Sequence, residues 1–155
     1  MDRLREANSS LLNVTEVYKK AQSHDGDKGA IGGNFWKVED IIRNETLAQG
    51  DLIKFVYLVE GSNLTADIAL GRDLIPFHVH RFHDELIHVI HGSGKLRVGN
   101  ENHSFGPGCI VYVPQDTIHG GELYEEIKWL SVYTPRFDMR NPDRIFVDDN
   151  GNPLT

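Results

Sequence analysis

Three histidines and one glutamate between residues 78 and 119 are of the types that bind a divalent metal ion, and their spacing follows the rhythm of β-strands. His78 and His80 are two residues apart, so on an extended strand both imidazoles leave the same face. Glu85 comes after the short stretch Arg81-Phe-His-Asp84, which lets the chain reverse and return a carboxylate from the next strand. His119 follows a strand and a turn containing Pro114, so it too can face inward. Neutral imidazole and carboxylate are the usual ligands of first-row divalent metals. An ion held by them can polarise an oxygen, acidify a water or bind O₂ beside a substrate. A single histidine is more readily explained as a surface or hydrogen-bonded core residue; the set of four carries the reading.

The elements around these residues have to be strands and turns. Leu52 to Val59 is rich in β-branched and aromatic residues, and Gly61-Ser-Asn63 signals a turn before a strand at 64–70. Further strands are predicted at 77–81, 86–90, 109–113 and 126–133. Residues 95–98 and 101–105 flank Gly99-Asn100, a two-residue hairpin signal. Short strands with a turn every eight to twelve residues indicate an antiparallel sandwich or barrel. In residues 1–30, Leu11, Val14, Tyr18 and Ala21 predict one short amphipathic helix, with 23–29 as a loop. After Pro135 the chain is rich in Pro, Asn and Asp, with Ile145-Phe-Val147 as an edge strand.

Composition narrows the function classes. The chain has 155 residues, 39% hydrophobic and 25% charged, which fits one folded domain. Its net charge of −7 and the lack of a basic stripe argue against nucleic acid as a partner. No apolar run approaches the roughly 20 residues of a membrane span, and the opening MDRLREANSSLLNV has no hydrophobic leader, which favours the cytoplasm. The sequons at Asn8, Asn13, Asn44 and Asn63 are therefore read as chance. The single cysteine, Cys109, is expected as a reduced, partly buried thiol in a strand.

Taken together, His78-x-His80, Glu85 and Gly92, then Gly108, Pro114 and His119, resemble the two motifs of the cupin superfamily. Three positions depart from them: Gly71 lies one residue too far upstream, Asp116 stands in place of a glycine, and Leu123 in place of an asparagine. The resemblance implies an all-β, double-stranded β-helix (jelly-roll) barrel at 35–134. A helical or irregular extension at 1–34 would precede it and an irregular tail at 135–155 would follow. It also implies one divalent transition metal on His78, His80, Glu85 and His119, with Fe(II) first and Mn, Ni, Co or Zn as alternatives. Three nitrogens and one oxygen leave two open positions on an octahedral ion. That favours a metal-dependent enzyme acting on a small oxygenated molecule. It could be a dioxygenase, a non-redox isomerase, cyclase or lyase, or a ligand-binding module without turnover.

Strand parity places Ile87, Val89 and His91 on the side of Glu85, and Trp129, Ser131 and Tyr133 on one face of the last strand. His83 and Tyr133 are the candidate proton-transfer residues, His83 alternatively being a replacement ligand or an exposed loop residue. Tyr57, Tyr112 and Arg97 are candidates for positioning a substrate, and His88, His91 and His103 are read as structural. Apolar residues on both faces of some strands suggest a homodimer.

Overall fold

The computed structural model of the chain describes residues 2–154. Helices α1 (Asp2–Asp27) and α2 (Val38–Asn44) precede eight long strands: β1 (Ile53–Glu60), β2 (Thr65–Gly71), β3 (Leu74–Val79), β4 (Asp84–His91), β5 (Gly94–Val98), β6 (Glu101–Phe105), β8 (His119–Leu123) and β9 (Ile127–Thr134). Two shorter strands, β7 (Ile110–Val113) and β10 (Ile145–Phe146), complete the set. They form two antiparallel five-stranded sheets, ordered β1-β2-β9-β4-β7 and β10-β3-β8-β5-β6, which enclose the core as a double-stranded β-helix.

Alternation decides which side chains enter the barrel. On β9, Ile127, Trp129, Ser131 and Tyr133 are buried, while Lys128, Leu130 and Val132 are half-buried. On β4, Glu85, Ile87 and Val89 are buried and Leu86 and His88 exposed. The parity expected for His91 fails: it is exposed, because the β4–β9 register shifts between Val89 and His91. β2 is buried along its whole length. Its inner face meets the core, and its outer face is covered by the chain's own α2 segment, where Leu47 and Trp36 pack with Ile68 and Leu70. That cover answers, for this part of the sheet, the apolar outer face that suggested a second subunit.

Four elements differ from the sequence expectation, each for a physical reason. α1 runs through the stretch read as a loop, because tertiary contacts hold its last turn: buried Asp25 accepts a hydrogen bond from Phe55 N (2.9 Å), and Gly26 lies flat against the backbone of Met139. α2 was not foreseen, being seven residues long with no side-chain N-cap. β8 was hidden by Gly120-Gly121, a pair that ordinarily weakens a strand. Here both neighbours press close: a Cβ at Gly121 would fall 1.9 Å from Lys95 O, and one at Gly120 2.7 Å from Ile75 O. β3 begins earlier than expected and contains Pro76, so His80 lies just past its end.

Two segments close the barrel. On α1, Tyr18 donates its hydroxyl to Leu74 O (2.6 Å) and meets Phe146 edge-on, with centroids 6.3 Å apart. From the tail, β10 pairs with β3, setting Phe146 opposite His78. Among the described residues, no helix is long and apolar enough to cross a membrane.

Candidate metal centre

The two sheets bring the four expected ligands to one point. His78 on β3 and His119 on β8 are direct cross-strand partners, with ring centroids 4.0 Å apart. His80 follows at 5.1 Å from both rings. Glu85 arrives from the opposite sheet, where it pairs with Tyr133 on β9. All four side chains are buried, and one ligand atom from each lies within 4.8 Å of all the others. A metal–nitrogen bond of about 2.1 Å spaces adjacent ligands by about 3 Å and opposite ones by about 4.2 Å, so sub-ångström adjustment closes this set on one ion.

The hydrogen bonds prepare each donor. His78 Nδ1 donates to Pro76 O (2.7 Å), His119 Nδ1 to Thr117 O (2.9 Å) and His80 Nδ1 to Asp143 O. A carbonyl only accepts, so each Nδ1 carries the proton and each Nε2 is left with a lone pair, the tautomer a metal needs. Two of these lone pairs face an acceptor: Glu85 Oε2 is 3.2 Å from His80 Nε2 and 3.1 Å from His119 Nε2. Something positive must sit there, a proton or a cation. Burial, together with its imidazole neighbours, holds His78 well below its ordinary pKa. Burial also lowers His80, against the opposing pull of Glu85. Burial would raise Glu85, but its contacts with His119 and His80 outweigh that and hold it well below the usual carboxylate range. Imidazoles that resist protonation around an ionised carboxylate suit a metal ion. Glu85 Oε1 accepts from Ser131 Oγ (2.8 Å), which in turn accepts from Trp129 Nε1 (2.9 Å), so the carboxylate is oriented from behind.

The turn between Pro114 and His119 explains one motif departure. Asp116 adopts φ 57°, a left-handed conformation glycine takes freely and Asp tolerates, and its N–H donates to His80 O (2.8 Å). Leu123, in place of asparagine, is buried in the core.

The other candidates are distributed as follows. Tyr133 is buried beside the ligands, its ring edge-on to His80 at 5.4 Å. Burial, then the Glu85 and Asp67 charges, raise its pKa well above the ordinary value, so the phenol stays protonated. His83 is not an exposed loop residue: it is 8% exposed and stands outside the four-ligand group. Its Nδ1 donates to Asp143 Oδ2 (2.7 Å), and its Nε2 lies 3.3 Å from Arg136 O. It thus holds the residue whose carbonyl orients His80. Tyr57 is buried inside the barrel. Tyr112 points outward and donates to Asp84 (3.0 Å), and Arg97 is engaged by Gly99 O and Asp149 O, so neither faces the centre. His88 and His103 are exposed, and Cys109 is partly buried just before β7.

Four residues were not singled out from sequence. Strand parity sets Ser131 on the inner face but gives it no role, and Asp67, Asp143 and Arg144 belong to no motif. Arg144 comes from the tail, and no spacing rule predicts that a residue in a Pro/Asn/Asp-rich stretch enters a barrel. Beside the ligands is a cavity of about 30 Å³, with Phe55, Trp129, Tyr133 and Arg144 in its wall. That is room for one or two waters. A separate groove of about 580 Å³ opens outside, over Phe82, His83, Arg136, Asp143 and Arg144.

Comparison with known proteins agrees with this fold. Residues 64–133 match the family model described as Cupin domain. Among solved structures, the chain is similar to KdgF from Halomonas sp. (21% identity, 69% of this chain and 97% of that one, TM-score 0.57). It is also similar to an uncharacterised conserved protein with a double-stranded β-helix domain from Klebsiella pneumoniae (17%, 76% and 100%, TM-score 0.62). A third is a cupin-2 domain-containing protein from Shewanella frigidimarina (17%, 65% and 94%, TM-score 0.56). No curated protein sequence matches the chain.

Proposed function

The barrel of this chain belongs to the cupin superfamily, and from that premise we propose that it is a metal-dependent enzyme acting on a small oxygenated organic molecule. The observation that carries the reading is the convergence of His78, His80, Glu85 and His119 with every Nδ1 committed to a carbonyl. A divalent ion in this set supplies Lewis acidity, and iron would add access to O₂. With Fe(II) in this set, the centre would be that of a dioxygenase. The chain's own residues do the rest. Ser131 fixes the rotamer of Glu85, and His83 acts through Asp143 to fix His80. The wall of Phe55, Ile87 and Trp129 excludes water and strengthens electrostatic interactions inside. Tyr133, a buried phenol beside the ligands, would give a proton to substrate oxygen.

That last feature favours a second reading, a non-redox isomerase, cyclase or lyase in which Tyr133 moves the proton. Two measurements decide. Elemental analysis of protein purified without a histidine tag should give close to one divalent metal per chain; a metal-free protein that cannot be loaded would end both readings. Turnover of a panel of small hydroxy and keto acids with and without O₂ then separates them. Oxygen-dependent turnover supports the dioxygenase and anaerobic turnover the non-redox enzyme. Saturable binding without turnover would leave a ligand-binding cupin.

A further inference from the structure

The guanidinium of Arg144 is buried in this barrel and only partly compensated. Its Nη2 donates to Tyr133 Oη (3.1 Å), and its Cζ lies 4.9 Å over the Phe55 ring. Its Nη1 is sealed from solvent and has no hydrogen-bond partner among the described residues. The acids near it do not pair with it. Both oxygens of Glu85 are taken, by His80 and His119 on one side and Ser131 on the other. Asp67, 1% exposed on β2, has neither oxygen hydrogen-bonded. Burial raises the Asp67 pKa well above its ordinary value, with Arg144 opposing it, and no hydrogen bond joins the two. A buried cation left in this state is costly, and the ordinary remedy is a bound anion. Position points the same way. The inner cavity is too small for an organic substrate and the outer groove is not, and Arg144 lines both.

We propose that Arg144 binds the substrate's carboxylate: a small hydroxy or keto acid entering from the groove over residues 136–145 displaces the side chains that seal Nη1, and this edge, with the Tyr133 hydroxyl alongside, takes the carboxylate. The adjacent substrate oxygen is thereby directed toward His78, His80, Glu85 and His119. The inference rests on reading those four as a substrate-processing metal centre. The chemistry is specific. A guanidinium presents parallel N–H donors to a carboxylate, and in a water-poor site those bonds are strong. Tyr133 Oη accepts from Arg144, so its own proton remains free for the substrate. A neutral diol of the same shape offers hydroxyl acceptors but no counter-charge, and should bind more weakly.

The probes are lactate and its neutral counterpart 1,2-propanediol, titrated by NMR into the full chain, metal-loaded and metal-free. The wild type should bind lactate at least about tenfold more tightly than the diol in both forms, because Arg144 is not a metal ligand. Arg144→Met should lose that margin while its metal content stays unchanged. Arg144→Lys, which keeps the charge and loses the fork, should retain part of it and serves if the Met variant does not fold. Equal affinity for the two probes in metal-free wild type would overturn the proposal, as would an undiminished margin in Arg144→Met. Failure of the metal reading looks different: protein that takes up no metal yet prefers lactate through Arg144.

Discussion

Glu85 shows how much of this site depends on one side chain. One oxygen faces two imidazoles and the other accepts from Ser131, so the carboxylate cannot rotate without losing a partner. Ser131→Ala removes the outer hydrogen bond and leaves the four ligands in place. Its metal affinity should fall about 10- to 100-fold, read by competition with a chelator; an unchanged affinity would separate Ser131 from the centre. The imidazoles make a second prediction, for metal-free protein. Burial lowers the folded pKa of His78 and His80 below their ordinary 6.5. As pH falls below about 6.5 the unfolded chain takes up protons that the folded chain refuses, so stability present above 6.5 is lost on acidification. The slope reaches at most about 1.4 kcal/mol per pH unit for each of the two groups. Glu85, also lowered, contributes stability present above its ordinary 4.5 and lost as pH falls through its folded value, in the same direction. Urea midpoints in EDTA should therefore be lower at pH 5.5 than at 7.5; equal midpoints would contradict the burial argument. The ligands were legible in the sequence because type and spacing coincide with strand parity. Arg144 and Asp143 were not, because the β10–β3 pairing that delivers them is a two-residue contact with no pattern of its own.

At the scale of elements, the strands from 50 to 134 could be read because each alternates or is bounded by turn residues, and a sheet with one covered face enforces that alternation. The helices could not. α1 is more than its amphipathic stripe at Leu11 to Ala21: its final turn is polar in sequence and is held by the barrel it caps. Gly26 makes this testable. By intrinsic propensity, Gly26→Ala should stabilise a helix by up to about 1 kcal/mol. Here a Cβ would fall 2.5 Å from Met139 O, a backbone atom with no rotamer to yield. Overpacking of this kind costs about 1–3 kcal/mol, so the clash outweighs the propensity gain and the melting temperature should drop. A rise would mean that the last turn of α1 does not pack against 137–140 as described. The same segment carries Phe137, whose ring meets Tyr133 edge-on at 4.4 Å, so loosening it should also weaken lactate binding.

At the scale of the molecule, the two ends of the first sheet are treated differently. The β1 edge is covered by the chain itself, with Ile31 N and Gly32 N donating to Tyr57 O (2.9 Å) and Leu58 O (3.1 Å). At the other end, β7 pairs with β4 on one side only, and a groove of about 370 Å³ separates it from β5 and β6. On the outer face of this β4–β7 pair, Ile110 is 68% exposed, Tyr112 57% and Leu86 45%. An uncovered edge beside three exposed apolar side chains invites strand pairing with another chain. The homodimer expected from the apolar outer faces should therefore form through β7 and not through β2, whose outer face α2 already covers. Light scattering after size exclusion should give twice the 17.5 kDa chain mass. Ile110→Glu, at a position that packs on nothing inside the barrel, should give a monomer with unchanged metal content. A wild type that elutes as a monomer would refute the dimer. A dimer untouched by Ile110→Glu would move its interface away from β7.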